Sequence, residues 1–399
     1  MRQHRFLGSG WRGPYPGTIC PWAHTANLSM ASTSVVASSL EQVVRVIADP
    51  QARLVDWTAE PVAYAVLTPS TAALERVRVR LDCNGHEQEQ WLFVKTLQSL
   101  RRWHLFPMIP EALRETALAG YPWRVEAELY ASDVLEALPP LLRAPRVYLI
   151  EDVGDEQLRI WMEHIRTVEA TWDHERYAAA ARALGHLAGS RLVAPGGQDG
   201  YLRSYFETRL LGQAIPLLRD AATWEHPLIA SAADLHLRED LLALAARMPA
   251  LLTVLDKLPA AFAHGDACPQ NLLAAAGEEG LVAIDWGMAG MRPVGHDLSQ
   301  LLAGRAEAGL LEADDLLPLD RCIVTGYLQG LRQAGANVPE AQVRAGFVGS
   351  LAVRSAFTCV PVEHLGSVPT PALSQLFRRR LAFGRFVVHL AATTLPVGL

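Results

Sequence analysis

Over residues 261–287 the chain reads AFAHGDACPQNLLAAAGEEGLVAIDWG. This stretch concentrates two carboxylates, Asp266 and Asp285, with the amide of Asn271. Residues 272–275 and 281–284 are apolar and strand-like, and 276–280 between them is a turn, which predicts a hairpin. A register with Leu272 facing Ile284 sets Asn271 opposite Asp285 at the open end, where cross-strand Cβ atoms lie about 4.5–5.5 Å apart. An amide oxygen beside a carboxylate suits Mg²⁺, which takes one or two carboxylates and completes its shell with substrate phosphates and water. Asp266 lies five residues before Asn271 in a loop carrying Gly265 and Pro269. It adds a carboxylate placed to accept a hydroxyl proton.

The elements that must position these groups can be read upstream. LEQVVRVI places Leu40, Val43, Val44 and Ile47 at helical spacing, and Ser39 with Gln42 makes a capping box. Three strands follow, AYAVLT (63–68), LERVRVRL (74–81) and QWLFVKTL (90–97), with a Cys-Asn-Gly-His turn before the third, so an antiparallel meander is expected. A helix over 125–138 and a strand over 146–153 come next, and the chain from about 154 to 262 reads as mainly helical. The fold class is therefore α+β, a small antiparallel-sheet lobe followed by a larger helical one. Residues 1–33 read as a flexible tail, and Met30 offers an alternative start.

Composition narrows the function classes. The 399 residues carry 36 Lys and Arg against 42 Asp and Glu, a net charge of −6. That balance excludes the electrostatic footprint of a dedicated nucleic-acid or anionic-membrane binder. Cys20, Cys83, Cys268, Cys322 and Cys359 are scattered without zinc spacing, as free thiols of a reducing compartment are. No stretch approaches the roughly 20 apolar residues of a membrane span, and the N-terminus lacks a signal-peptide core, so a cytoplasmic location is expected. Trp57, Trp91, Trp103, Trp123 and Trp172 read as core and lobe packing, and Arg378, Arg379 and Arg380 as a solvated helix face. Glu312, Asp314 and Asp315 read as a helix start.

HGDACPQN followed by IDWG resembles the catalytic loop and metal-binding motif of the aminoglycoside phosphotransferase and choline kinase family, which has the protein-kinase-like fold. The order of motifs agrees with the resemblance. It implies that Lys95 in WLFVKTL neutralises nucleotide phosphates and that Glu126 in RVEAELY pairs with it, with Glu128 as a substitute. It also implies that the backbone of Glu151 and Val153 in YLIEDVG forms the hinge against adenine. Asp266 would be the base, Asn271 and Asp285 the Mg²⁺ ligands, and His264 and Asp297 structural supports of the loop. The lobes implied are 34–153 for nucleotide and 154–399 for catalytic loop and acceptor. Two positions depart from the family. The turn expected over the phosphates, TPSTAALER (68–76), has no glycine, which leaves Ser70 and Thr71 to build the cradle. Cys268 stands where the family often has His, and reads as a packed thiol.

The resemblance implies transfer of the γ-phosphoryl group of ATP, with Mg²⁺, to a hydroxyl of a small molecule such as an aminoglycoside-like antibiotic, an amino alcohol or a sugar. The acceptor pocket would come from residues 298–399, which carry no diagnostic pattern. The alternative is a catalytically weak kinase-like protein that binds nucleotide as a sensor or scaffold.

Overall fold

The structure, a computed structural model, describes residues 37–48, 51–62, 68–234 and 236–395. The expected tail, Met30, Cys20 and most of the run AYAVLT lie outside them. Among the described residues the first strand is β1 (Arg53–Pro61), and it pairs with β2 (Thr71–Cys83), which pairs with β3 (His86–Gln98). The β2–β3 turn is Asn84-Gly85, both at positive φ (55° and 84°). Such a two-residue turn matches the right-handed twist of a hairpin. The meander is thus present, with its first strand earlier than the sequence suggested.

A five-stranded antiparallel sheet has the order β1-β2-β3-β6-β5, with β5 spanning Val147–Gly154 and β6 Gln157–Glu163. β6 corrects two expectations. The chain after Gly154 does not turn helical, and the lobe boundary drawn at residue 153 moves beyond Glu163, because β6 pairs with β3 from Leu92↔Glu163 to Gln98↔Gln157. The period-2 alternation of Leu158, Ile160 and Met162 carried that information.

Alternation also gives the sheet two different faces. Val77, Val79, Leu81, Leu92, Val94 and Trp161 form a core with Leu40, Val43 and Val44 of helix α1 (Ala37–Ile47). Each such aliphatic side chain contributes about 1.5–3 kcal/mol on full burial. The opposite face gathers Leu97, Leu158, Ile160 and Met162 around Ala127. Ala127 lies on α3 (Val125–Tyr130), which follows α2 (Glu111–Gly120). Lys95 pairs with Ile160 across β3 and β6 and so shares the α3 face. Two local expectations change. Ser39 lies inside α1 rather than capping it, and its hydroxyl donates to Glu151 Oε2 at 2.7 Å. The helix expected over 125–138 ends at Tyr130, followed by a 3-10 turn at Asp133–Leu135.

The second lobe is mainly helical. It runs through α4 (His174–Ser190), α5 (Tyr201–Tyr205), a π-helical stretch (Phe206–Ala214), α6 (Ile215–Arg219), the short α7 (Ala221–Glu225) and α8 (Pro227–Ala230), and α9 (Leu237–Leu255). After the segment 260–293 come α10 (Asp297–Glu307), α11 (Ala313–Gln333), α12 (Glu340–Leu351) and α13 (Pro371–Thr394). α4 and α11 cross closely, and a Cβ on Gly330 would stand 2.0 Å from the Arg182 carbonyl oxygen. Glu312 and Asp315 form a capping box at the start of α11, as the acidic cluster suggested. Arg379 pairs with Glu312, whereas Arg380 is buried and pairs with Glu363, so the arginine run is not a uniformly solvated face. The fully buried tryptophans are Trp161 and Trp286; the five expected in the core are partly exposed, Trp91 most. No helix among the described residues is long and apolar enough to cross a membrane.

Two small sheets carry the segment 260–293, β4-β10-β9 and β11-β8-β7. Their strands are β4 (Leu142–Arg143), β7 (Leu192–Val193), β8 (Ala260–Ala263), β9 (Leu272–Leu273), β10 (Leu281–Ala283) and β11 (Gly290–Pro293). β4 pairs with β10 in parallel, and Arg143 holds Glu278 of the β9–β10 turn with two bonds of 2.7 and 2.8 Å. The same guanidinium reaches Glu163 at the end of β6. Beyond β6 the chain stays on that hairpin: Val168 N donates to Ala274 O and Arg166 O accepts from Ala276 N. The link between lobes is therefore tied to the hairpin that carries Asn271 and Asp285.

Candidate active site

Lys95 stands between two carboxylates. Its Nζ is 2.6 Å from Glu126 Oε2 and 2.7 Å from Asp285 Oδ1. Lys95 and Glu126 are buried, while the Asp285 side chain is 43% exposed and open to a ligand. Burial opposes the Lys95 charge, but the Glu126 and Asp285 charges outweigh it and hold the ammonium above the ordinary lysine range. Burial also opposes the Asp285 charge, and there Lys95 prevails, lowering the carboxyl below its usual value. Glu126 is pushed up by burial, with Lys95 pulling against it.

The loop after β8 is fixed by its own backbone. All four residues of β8 are buried, and His264 continues into the interior. Asp297, at the start of α10, accepts from His264 N through Oδ2 and from Gly265 N through Oδ1, each at 2.9 Å. Burial pushes the Asp297 carboxyl up, against the pull of His264 and of those two N–H groups. His264 Nδ1 accepts from Asp266 N at 3.3 Å, so Nε2 carries the hydrogen and donates to Ile284 O at 2.9 Å. Gly265 sits at φ 83°, and a Cβ there would lie 1.9 Å from Met288 O. Only glycine fits both the conformation and the space. The ring of His264 is 4.5 Å from that of buried Trp286. Both sequence-predicted supports thus touch the Asp266 loop.

The hairpin forms one residue out of the expected register. Leu272 pairs with Ala283 and Leu273 with Val282, and Ile284 N donates to Asn271 O at 2.9 Å. Asn271 therefore faces Ile284 rather than Asp285. The reason is that Asn271 closes a 3-10 turn (Pro269–Asn271) instead of extending β9, and Asp285 leaves β10 at φ 63°, ψ 60°. A left-handed conformation is costly for a residue with a Cβ, least so for Asn and Asp, and commonly marks functional sites. Asn271 Nδ2 donates to Asp266 O at 2.9 Å and to Asp266 Oδ2 at 3.2 Å. Its amide oxygen is thereby turned away from Asp266.

Other predicted residues lie elsewhere. Glu151 and Val153 are on β5, at the sheet edge and one strand before the chain leaves the sheet, so they do not form the link between lobes. The Glu151 carboxylate instead accepts from Ser39, Arg159 and the Trp161 indole. Ser70 and Thr71 lie at the end of β2: Ser70 O accepts from Gln98 N, and buried Thr71 opposes Leu97. The Ser70 hydroxyl bonds that of Thr68 at 2.8 Å. Residues 71–76 are strand rather than turn. Glu128 is exposed and pairs with Arg124, leaving Glu126 as the partner of Lys95. Burial raises the Cys268 thiol to about 12, as befits a packed thiol.

Sequence reasoning missed three residues around Asp266. Arg354, just past α12, donates from Nη2 to Asp266 Oδ1 at 3.2 Å and from Nη1 to Gly265 O. Arg292 donates to Met288 O at 3.0 Å and pairs with Asp199. Tyr201 lies under both guanidiniums, 4.4 Å from that of Arg292 and 5.7 Å from that of Arg354. None sits in a motif, and Arg354 is 88 positions from its partner.

The chain is similar to known proteins. A sequence model of the Phosphotransferase enzyme family matches residues 85–321, more than half of the chain. No curated protein matches it. Among solved structures it is similar to an aminoglycoside phosphotransferase from Alicyclobacillus acidocaldarius, at 15% identity over 79% of this chain and 88% of that one, TM-score 0.45. It is also similar to the ethanolamine kinase of Plasmodium vivax, at 10% identity over 84% and 83%, TM-score 0.46. An amicoumacin kinase in complex with AMP-PNP, Ca²⁺ and Ami has 13% identity over 89% and 94%, TM-score 0.43. The span of the family match covers β3 with Lys95, the Asp266 loop, Asp285 and Asp297, and the chain belongs to the phosphotransferase enzyme family.

Proposed function

We propose that the protein transfers the γ-phosphoryl group of ATP to a hydroxyl of a small molecule. The observation that carries this reading is the Lys95 ammonium bonded to both Glu126 and Asp285, joining the sheet lobe to the hairpin of the helical lobe. A fixed cation buried between the lobes suits the non-transferred phosphates, because phosphoryl transfer depends on positioning and charge neutralisation. Asp266 orients the acceptor hydroxyl and takes its proton as the oxygen–phosphorus bond forms and the bond to ADP breaks. His264, Gly265 and Asp297 keep that carboxylate in place.

Asn271 and Asp285 would hold Mg²⁺. Their donors are hard oxygens, and the Asn271 amide oxygen is turned from Asp266 while Asp285 is open on one side. Among the described residues no group of three or more His, Cys, Asp or Glu can hold a metal. Such a site takes its remaining ligands from phosphates and water, and the ion supplies neutralisation of phosphate charge. The backbone of the link beginning at His164 takes the adenine-facing role first assigned to Glu151 and Val153. A cytoplasmic location goes with these substrates.

The test is transfer from Mg-ATP to a panel of aminoglycosides, other hydroxylated antibiotics, amino alcohols and sugars, with Asp266→Asn in parallel. Transfer to one class that is lost in the variant supports the reading. Mg-ATP binding without transfer to any member supports the second reading, a nucleotide-binding sensor or scaffold. That reading is favoured by one observation: the connection from β1 to β2, residues 62–70, contains no glycine.

A further inference from the structure

Arg354 is an internal cation with no part in the scheme above, and its surroundings give it one. α12 ends at Leu351 and the chain continues as a π-helical turn, Ala352–Ala356, before leaving the helix. Such turns occur often at functional sites. From this turn the Arg354 side chain, 12% exposed, reaches the Asp266 loop, one nitrogen meeting the Gly265 carbonyl and another Asp266 Oδ1. The second carboxylate oxygen, Oδ2, accepts from Asn271. Both oxygens of Asp266 are thus held, one from the metal-binding hairpin and one from the far end of the helical lobe.

The guanidinium is itself constrained. Tyr201 lies against it, and Tyr201 also packs on Arg292 and stands edge-on to His296, the residue before Asp297. Burial opposes the Arg354 charge, but neighbouring groups, Asp266 and Glu307 among them, outweigh it, and a guanidinium in a protein stays protonated. A planar donor pair fixes direction as well as charge, which an ammonium cannot do equally.

We propose that Arg354 is the positioning residue of Asp266: it locks the rotation of the carboxylate and ties the loop carbonyl beside it, so that one oxygen stays aimed at the acceptor hydroxyl. The inference rests on the reading of Asp266 as the acceptor-facing base. It assigns to the segment after α12 a part in catalysis that does not depend on which acceptor is used.

The experiment uses the full chain, Mg-ATP and water as the universal acceptor, together with whichever acceptor the panel identifies. Arg354→Met is expected to lower kcat about 100-fold, the scale of a misplacement by an ångström, with KM for Mg-ATP changed less than about 2-fold. Arg354→Lys should recover part of the loss. Guanidinium added below denaturing concentration should raise the turnover of Arg354→Ala at least about 10-fold and leave the wild type unchanged. Rescue separates positioning from folding, because a misfolded variant gains nothing from a small cation. An active wild type with undiminished Arg354→Met, or an Arg354→Ala variant that guanidinium does not restore, overturns the inference. A wild type that turns over with no acceptor, water included, overturns the underlying reading of Asp266 and this inference with it.

Discussion

Lys95 and Asp285 are 190 positions apart in the chain and 2.7 Å apart in space. One comes from the last third of β3, the other is a left-handed residue two positions beyond the end of β10. The contact forms only if the sheet face with α3 is turned toward the catalytic hairpin, which the Arg143 bonds to Glu163 and Glu278 enforce from the other side.

Lys95→Met removes the cation bonded to Glu126 and leaves a carboxylate that is 3% exposed without that counter-charge. Breaking one side of a buried pair costs about 3–5 kcal/mol. Denaturant unfolding should read a loss on that scale, with turnover abolished. Lys95→Met combined with Glu126→Gln should regain much of the stability and none of the turnover. Equal stability of the single and double variants would sink this account of the pair.

Asp266→Asn keeps size and shape but not the ability to take a proton, so turnover should fall by a factor on the order of 10²–10⁴ with nucleotide affinity nearly intact. Asp285→Ala should act differently and weaken Mg-nucleotide binding itself, read by calorimetry with and without the metal. Near-wild-type turnover in Asp266→Asn would remove it from the role of base.

The pH dependence of stability follows from His296. It is buried, with Nδ1 at 3.0 Å from Ser350 Oγ. Burial, Arg292 and Arg354 all disfavour its charged form and hold its pKa well below the ordinary 6.5. The unfolded chain takes up a proton there below about pH 6.5 while the folded chain does not, so stability falls as pH drops through that value toward the folded pKa. His296→Gln lacks that proton uptake, and its melting temperature should vary less than the wild type's between pH 6.5 and 5. Parallel curves would show that His296 does not set the slope.

Legibility in the sequence followed the range of the interactions. The Asp266 loop was readable because its residues act on neighbours: His264 on Asp266 and Asn271 on Asp266. Lys95 was readable from its place in the order of motifs, while its face of the sheet came only with the β3–β6 pairing. The hairpin register failed by one residue because apolar pattern alone does not reveal that Asn271 belongs to a 3-10 turn. β6 was passed over because Gly154 and the acidic turn at Asp155 and Glu156, both at positive φ, look like the end of a lobe while closing a hairpin. Arg354 was invisible, since its meaning comes from a helix that returns to the loop 88 positions later.

Glu151 provides the sharpest test of where the lobes join. Were its segment the link against adenine, altering it would disturb nucleotide binding; on β5 it is instead a tie within the sheet lobe. Its carboxylate accepts from Ser39 Oγ at 2.7 Å, Arg159 Nη1 at 3.0 Å and the indole of fully buried Trp161 at 2.8 Å. Glu151→Ala leaves those donors unpaired, at a cost of about 1–3 kcal/mol for a buried group. The variant should therefore melt several degrees lower, and α1, which Ser39 fastens to β5, should exchange its amide hydrogens faster. The KM for Mg-ATP should stay within about 2-fold, since 1.4 kcal/mol would be needed for a tenfold change. Ile165→Pro alters the backbone just after β6 and should raise that KM with little effect on α1. The reverse pattern, a raised KM in Glu151→Ala and none in Ile165→Pro, would return the link to β5.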